Sequence, residues 1–234
     1  MFSRLTAHTV EAKWTMELKT ELKKALEELR KTKERKFSQT VDLIINLQKF
    51  NPKKDIVNIV VKLPFQAKDK KIAAFLEVKN PKVKTITQND FKKYNDKKEL
   101  RKLVRNFDFF IAQASLMPKV ATIFGKVLGP AGKMPSPQLG IIPNVNDQVI
   151  SDLKENVNKS VKIRTKEASI KLCVGKQDMK DEEIIANIIS LFNAIVAVLP
   201  RQKENIKNLS LKFTMTKPYK IQFKWKQIKD FYSS

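Results

Sequence analysis

The chain has 234 residues, of which 42% are apolar, enough to bury one large core or two small ones, so it is read as a folded protein and not as a disordered basic tail. Forty-seven Lys and Arg against 24 Asp and Glu give a formal net charge of +23, and the expected partner is a polyanion. The longest uncharged run, Ile184 to Pro200, is too short for a bilayer span and is interrupted by Asn187, Ser190 and Asn193; no membrane role is expected. Met1 to Val10 holds no apolar segment of the signal-peptide kind, and a cytoplasmic protein is expected.

Trp14, Leu18, Leu22, Ala25 and Leu29 recur at helical spacing and predict an amphipathic helix over 9–29, its outer face supported by the pairs Glu21/Lys24 and Glu28/Lys31. After the basic cluster Lys31, Lys33, Arg35, Lys36 the period drops to two. Val41, Leu43, Ile45 and Leu47 form one strand, Val57, Ile59, Val61 and Leu63 a second, and the polar turn at 51–55 predicts that the two pair as an antiparallel hairpin.

Residues 64–70 break the pattern and read as a linker. Beyond them come a compact apolar run at 72–76, a shorter one at 83–87, a charged helix over 89–105, and the strand Phe107 to Ala112. Strands buried on both faces and alternating with helices predict an inserted α/β unit. A helix over 116–128 should end at Gly129 and Pro130, followed by a loop through Pro137. Past Asp152, Val161 and Ile163 and then Ile170, Leu172 and Val174 predict a second hairpin across a turn at 165–168, with Cys173 packed in the core. Asp181, Glu182 and Glu183 open a helix over 184–199, whose dipole they complement. Leu209, Leu211, Phe213 and Met215 alternate with polar residues in a last strand, before a basic, aromatic tail with Tyr219, Phe223, Trp225 and Phe231.

The fold expected is α+β with an inserted α/β domain, a discontinuous two-domain architecture. Residues 1–66 and 157–234 form domain I, an antiparallel sheet with helices, and 67–156 form domain II, a small Rossmann-like three-layer unit.

Enzyme chemistry is not expected. The single histidine, His8, leaves no imidazole pair for acid–base or metal work, and the single cysteine excludes a thiolate cluster, so no metal and no cofactor are expected. Gly132-Lys133 invites a phosphate-loop reading, but position 127 is Val where the motif needs Gly and Met134 stands at the Ser/Thr position. The carboxylate pairs lie in charged helices, where capping and solvated faces account for them.

Phe107-Asp108-Phe109-Phe110-Ile111-Ala112-Gln113-Ala114-Ser115-Leu116-Met117-Pro118 and Leu128-Gly129-Pro130-Ala131-Gly132-Lys133-Met134-Pro135-Ser136 resemble the L-one family of large-subunit ribosomal proteins, its archaeal branch in particular. Lys36 to Val41, Val174-Gly175-Lys176 and Phe213-Thr214-Met215 fall in the family's order, so the resemblance covers about 9–218. It implies a non-catalytic structural protein of the cytoplasmic ribosome. Its partners would be a three-way junction of the large-subunit rRNA stalk, the exit-site tRNA, other ribosomal components, and in many members the protein's own messenger RNA, which it represses.

The resemblance places the RNA contacts at Lys36, Phe37, Ser38, Thr40, Thr214 and Met215; Lys212 shares the polar face with Thr214, Arg164, Lys166 and Lys171 lie on or near the adjacent hairpin, and Thr216 completes the expected rRNA-binding set. On the residues alone, Phe37 and Met215 read as core and Lys212 as a solvated charge; the resemblance moves all three to the interface. Two departures stand out: Thr216 occupies a position where the family has glycine, and 77–84 is too short for a helix the family carries there. A translational repressor and, more distantly, a nucleotide-dependent enzyme using the 129–137 loop are the competing readings.

Overall fold

The computed structural model describes residues 2–222 apart from Glu34, Lys53, Ile56, Gln138, Asn144, Val145 and Lys166; side chains are described from residue 15 onward, except those of Asn95, Lys97 and Asp147. The chain divides into two compact units, Met1–Lys68 with Val161–Ser234, and Asp69–Ser160. The crossings at 68/69 and 160/161 compare with 66/67 and 156/157 read from the sequence.

In the first unit, helix α1 (Phe2–Arg30) begins well before the expected residue 9, so the backbone at His8 is helical. Leu18, Leu22, Ala25, Leu26 and Leu29 are buried along one face, and a fully buried leucine of this kind contributes about 1.5–3 kcal/mol. The outer face carries the expected ion pairs, Lys24–Glu21 at 2.9 Å and Lys31–Glu28 at 2.6 Å. The predicted helical face includes Trp14, whose side chain lies outside the described residues.

Strand β1 (Thr40–Leu47) alternates as expected, with Val41, Leu43, Ile45 and Leu47 inward, but the expected hairpin is corrected. β1 lies between β8 (Ser169–Lys176) and β9 (Ile206–Phe213), antiparallel to both, in a four-stranded sheet of order β10-β9-β1-β8, with β10 at Tyr219–Ile221. β2 (Asn58–Lys62) pairs instead with β7 (Ser160–Arg164), which dissolves the second expected hairpin as well. Alternation marks a strand's two faces and does not name its neighbour. At the end of β1 the backbone is drawn elsewhere: Leu47 N–H donates to Ala168 O and Gln48 N–H to Asn205 O, while Thr165 N–H donates to Val57 O.

Helix α5 (Asp181–Val198) packs into the same core through Ile184, Ile188, Leu191, Phe192 and Ile195. Of its expected polar stripe, Asn187 is completely buried and satisfied, donating to Val174 O at 2.9 Å and accepting from Phe65 N–H at 3.0 Å, whereas Asn193 is exposed. Cys173 is corrected from core to half-buried, because it sits opposite Asp42 on the sheet's other face. The strand expected over 209–215 is β9 and ends at Phe213, so Met215 leaves the alternation and is 59% exposed, and a further strand, β10, follows in the stretch read as tail.

The second unit is a parallel sheet of order β4-β3-β5-β6: β3 (Ile72–Phe75), β4 (Lys84–Ile86), β5 (Phe109–Gln113) and β6 (Ile141–Ile142). Ala73, Phe75, Phe110 and Ala112 face one helical layer, made of the 3-10 stretch Gln88–Asn95, α2 (Lys97–Asn106) and α3 (Met117–Ala131). Ile72, Ala74, Ile111 and Ile142 face α4 (Asp147–Asn158). These are three layers. Residues 76–83, joining the parallel strands β3 and β4, carry no helix, as expected, and run shorter than the roughly dozen residues such a crossover takes.

Two readings of this unit are corrected. The charged helix over 89–105 is two pieces, because Asp96 turns extended and caps α2 by accepting from Lys98 N–H. α3 does not stop before Gly129 and Pro130 but includes both in its last turn, ending where Gly132 adopts φ 71° and lets the Gly132 and Lys133 N–H groups reach back to Gly129 O and Leu128 O. β6 and α4 were not expected at all.

Candidate nucleic-acid interface

Three segments of the first unit converge at one end of its four-stranded sheet: the entry to β1, the turn between β8 and α5, and the turn between β9 and β10. The register sets this geometry, since Thr40 stands opposite Lys176 and Val41 opposite Phe213.

Thr40 and Thr214 are tied directly. Thr40 N–H donates to Thr214 Oγ1 at 3.0 Å and their hydroxyl oxygens are 2.9 Å apart. Gln39, only 1% exposed, joins all three segments: its Oε1 accepts from Met215 N–H at 3.1 Å, its carbonyl from Gln177 N–H at 2.8 Å, and its Nε2 donates to Gln177 Oε1 at 3.4 Å. Ser38 donates its hydroxyl to the Asp178 carboxylate. Thr216 Oγ1 accepts from Phe213 N–H at 2.9 Å and donates to Phe213 O at 3.3 Å, closing the β9–β10 turn with a side chain.

The β8–α5 turn is held from behind. Arg30, at the end of α1, donates to Asp181 Oδ1 at 2.6 and 3.0 Å, to Gln177 O at 3.0 Å and to Met179 O at 3.1 Å. One guanidinium thereby fixes both ends of the turn that carries Gln177 and Asp178. At Gly175 an added Cβ would meet Met179 Sδ at 3.0 Å and Ile184 Cγ1 at 3.3 Å, so a larger residue there would make both side chains give by a few tenths of an ångström.

Phe37 and Met215 present 52% and 59% of their surfaces to solvent. Two large apolar side chains exposed beside a hydroxyl cluster supply faces on which a sugar or base packs. Lys36 is exposed next to Phe37. Beside this cluster a groove of about 380 Å³ runs between the end of α1 and the β9–β10 turn, with Lys33, Arg35 and Lys217 among its lining residues.

Not every candidate residue joins the cluster. Lys212 faces Asp42 across the β1–β9 pair, one pleat further along from Thr40. Lys171 is paired with Ile44, about 13 Å along β1 from Thr40, and makes an exposed contact with Glu167 at 3.8 Å. Arg164 ends β7 in the separate two-stranded sheet, and Lys166 lies outside the described residues. Sequence reasoning missed Arg30, Gln39, Gln177 and Asp178, whose partners lie more than a hundred residues away along the chain and leave no periodic trace.

Asp42 was also missed. Half-buried on the sheet face, its carboxyl is pushed above its ordinary pKa by burial, against the opposing pull of the Lys212 charge and a hydrogen bond from the Thr40 hydroxyl. In the second unit, Lys133 donates to Val104 O at 2.7 Å and to Phe107 O at 2.8 Å. Its ammonium therefore caps the C-terminal end of α2, which accounts for the Gly-Lys pair structurally. Among the described residues no group of His, Cys, Asp and Glu is arranged to hold a metal ion, and no helix is long and apolar enough to cross a membrane.

The family model described as "Ribosomal protein L1p/L10e family" matches residues 29–217. The chain is 34% identical over 197 residues to "Large ribosomal subunit protein uL1" of Nanoarchaeum equitans, covering 80% of this chain and 92% of that protein. It is 35% identical over 208 residues to the protein so named from Pyrobaculum islandicum (84% and 90% covered), and 31% identical over 216 residues to that from Picrophilus torridus (88% and 97% covered).

Proposed function

The chain belongs to the ribosomal protein L1p/L10e family, and from that premise we propose that it is a non-catalytic structural constituent of the large ribosomal subunit, working in the cytoplasmic ribosome. Its RNA target is a three-way junction of the large-subunit rRNA, the stalk beside the exit-site tRNA, whose release it supports. Domain I, residues 1–66 and 157–234, holds the RNA; domain II, 67–156, is the inserted Rossmann-like unit.

The observation that carries this reading is the cluster of Ser38, Thr40 and Thr214 hydroxyls beside the exposed Phe37 and Met215. Hydroxyls bond to ribose 2′-OH groups and phosphate oxygens, while the two apolar faces pack on sugars and bases. Lys36 and Lys212 neutralise phosphates. The cluster is held by Gln39 and Arg30 before any RNA arrives, so little ordering entropy opposes binding. A messenger RNA folded into the same junction would be read by the same side chains, and repression of the protein's own message would follow.

The test is a titration against the isolated stalk RNA with an unrelated duplex RNA as competitor, at two salt concentrations. Tight binding that survives competitor is expected. Equal binding to both RNAs, erased by salt, would defeat the reading.

A further inference from the structure

The three-layer unit is electrostatically lopsided. α2 buries Leu100, Leu103 and Val104 and turns Lys98, Arg101, Lys102 and Arg105 outward, all exposed. Lys98/Arg101 and Lys102/Arg105 stand at i, i+3 and Lys98/Lys102 and Arg101/Arg105 at i, i+4, four like-charge pairs of the kind that destabilise a helix, against the single opposite-charge spacing Glu99/Lys102. Glu99 is the one acid on that face, and among the described residues none of the four cations makes an ion pair.

The other helices are arranged differently. α1 pairs Lys24 with Glu21 and Lys31 with Glu28, and α4 pairs Lys159 with Glu155. The cations of α2 are thus not the usual solvated mixture of signs. They continue onto the elements packed beside α2: Lys92 and Lys93 are exposed on the 3-10 stretch, and Lys119 and Lys126 on α3, a helix with no acidic residue. The acids of this layer are engaged locally, Asp90 with the Thr87 hydroxyl and backbone and with Lys93 at 3.4 Å, and Asp96 as the cap of α2, so Lys93 is, among the described residues, the cation of this surface that has an acidic partner. On the sheet's opposite side, α4 carries Asp152 and Glu155 with Lys154, and Lys82 reaches the Ser151 hydroxyl of that helix at 3.4 Å.

We propose that the layer formed by Gln88–Asn95, α2 and α3 is a second RNA-docking surface, one that takes the phosphate backbone of a double-helical RNA independently of the hydroxyl cluster in the first unit. The cations of α2 recur at each turn, about 5.4 Å along its axis, and a linear polyphosphate is the partner that meets successive ones. Contacts from α2 are to phosphates and carry no base sequence, because its exposed face offers neither a large apolar side chain nor an amide beyond Asn106; the amides Gln88 and Asn89 are exposed at the start of the 3-10 stretch. The choice of RNA as the polyanion rests on the function proposed above.

The experiment uses the full chain and a 20-base-pair RNA duplex without a junction as probe, over a range of salt. In one variant Lys98, Arg101, Lys102 and Arg105 are all replaced by Gln; in a control, Lys19, Lys23, Lys62 and Lys207, exposed in the other unit, are replaced by Gln. The α2 variant should lose about tenfold or more in duplex affinity at moderate salt, with the slope of log affinity against log salt reduced by about 2 to 3, while the control changes far less. Its thermal midpoint at low salt should match or exceed the wild type's, since like-charge repulsion is relieved.

A duplex affinity in the α2 variant equal to wild type, or equal to that of the control, would overturn the proposal. So would loss of binding to poly-glutamate with duplex binding intact, which would assign the surface to an acidic protein. The stalk-RNA titration reports on the hydroxyl cluster separately: Phe37→Ala should weaken stalk binding and leave duplex binding intact, so failure of the first reading leaves a different pattern from failure of this one.

Discussion

Thr40 and Thr214, 174 residues apart in the chain, face each other across the β1–β9 pair with their hydroxyl oxygens 2.9 Å apart, and Thr214 also accepts the Thr40 N–H. The bond is solvent-facing, so the pair orders two strand ends while leaving lone pairs for a ligand.

Thr214→Ala removes that acceptor and a candidate RNA contact together. Its cost to folding should stay within about 1.5 kcal/mol, because the freed Thr40 N–H is open to water. Its cost to stalk-RNA affinity should be about 1–3 kcal/mol, and Phe37→Ala should cost a similar amount by removing a stacking face. Urea denaturation and RNA titration of both variants check this; wild-type affinity in the two would sink the assignment of the cluster.

Arg30 acts at one remove. Its side chain and that of Asp181 are each about a third exposed (35% and 34%), so the ion pair itself is worth little, and its value lies in fixing Gln177 O and Met179 O as well. Arg30→Lys keeps the charge but cannot span these acceptors. It should lower RNA affinity with little change in the salt slope, whereas loss of a phosphate contact would lower the slope by about 1. A reduced slope in Arg30→Lys would place Arg30 on the RNA and not behind the turn.

The core was legible wherever burial imposes a period. Val41, Leu43, Ile45 and Leu47 on one strand, and Leu18, Leu22, Ala25 and Leu29 on one helix, were read from spacing alone and are buried. Strand partners were not, since Ile59 and Val61 alternate equally well against β1 or against β7. α4 carried a readable signal in Val149, Ile150, Leu153 and Val157, but the stretch between the loop ending at Pro137 and the strand at Val161 was given no element. At the candidate site, the outward residues were named through the family resemblance, while Gln39 and Arg30, which hold them, are recognisable only once the distant turns are seen together.

Asp42 makes stability depend on pH. A carboxyl whose pKa is raised by burial binds its proton more tightly folded than unfolded, so its favourable contribution is complete below the unfolded value, about 3.9, and is lost as pH rises through the folded value. Asp42→Asn, neutral throughout, should therefore gain on the wild type between pH 3 and pH 7, the two converging at the acid end. The same substitution frees the Lys212 charge from its cross-strand partner and should tighten RNA binding. Denaturation curves at several pH values decide it: a wild type more stable than Asp42→Asn at pH 7 would mean that the Lys212 attraction outweighs burial.

The Thr216 hydroxyl, bonded to both the N–H and the carbonyl of Phe213, closes the turn with a side-chain clasp at a position where the family resemblance implies glycine. The backbone there has no positive φ that would call for glycine, since Lys49 and Gln202 are the non-glycine residues in that region among those described. Thr216→Gly should thus destabilise by about 1 kcal/mol, from the lost bonds and the added freedom of the unfolded chain. If the clasp presents Thr214 and Met215 in their binding arrangement, RNA affinity should fall with it, through faster dissociation from a looser turn. Kinetic binding measurements on Thr216→Gly separate the two physical accounts of this position: slower association with unchanged dissociation would contradict the clasp, and tighter binding than wild type would show that the threonine β-carbon obstructs the RNA.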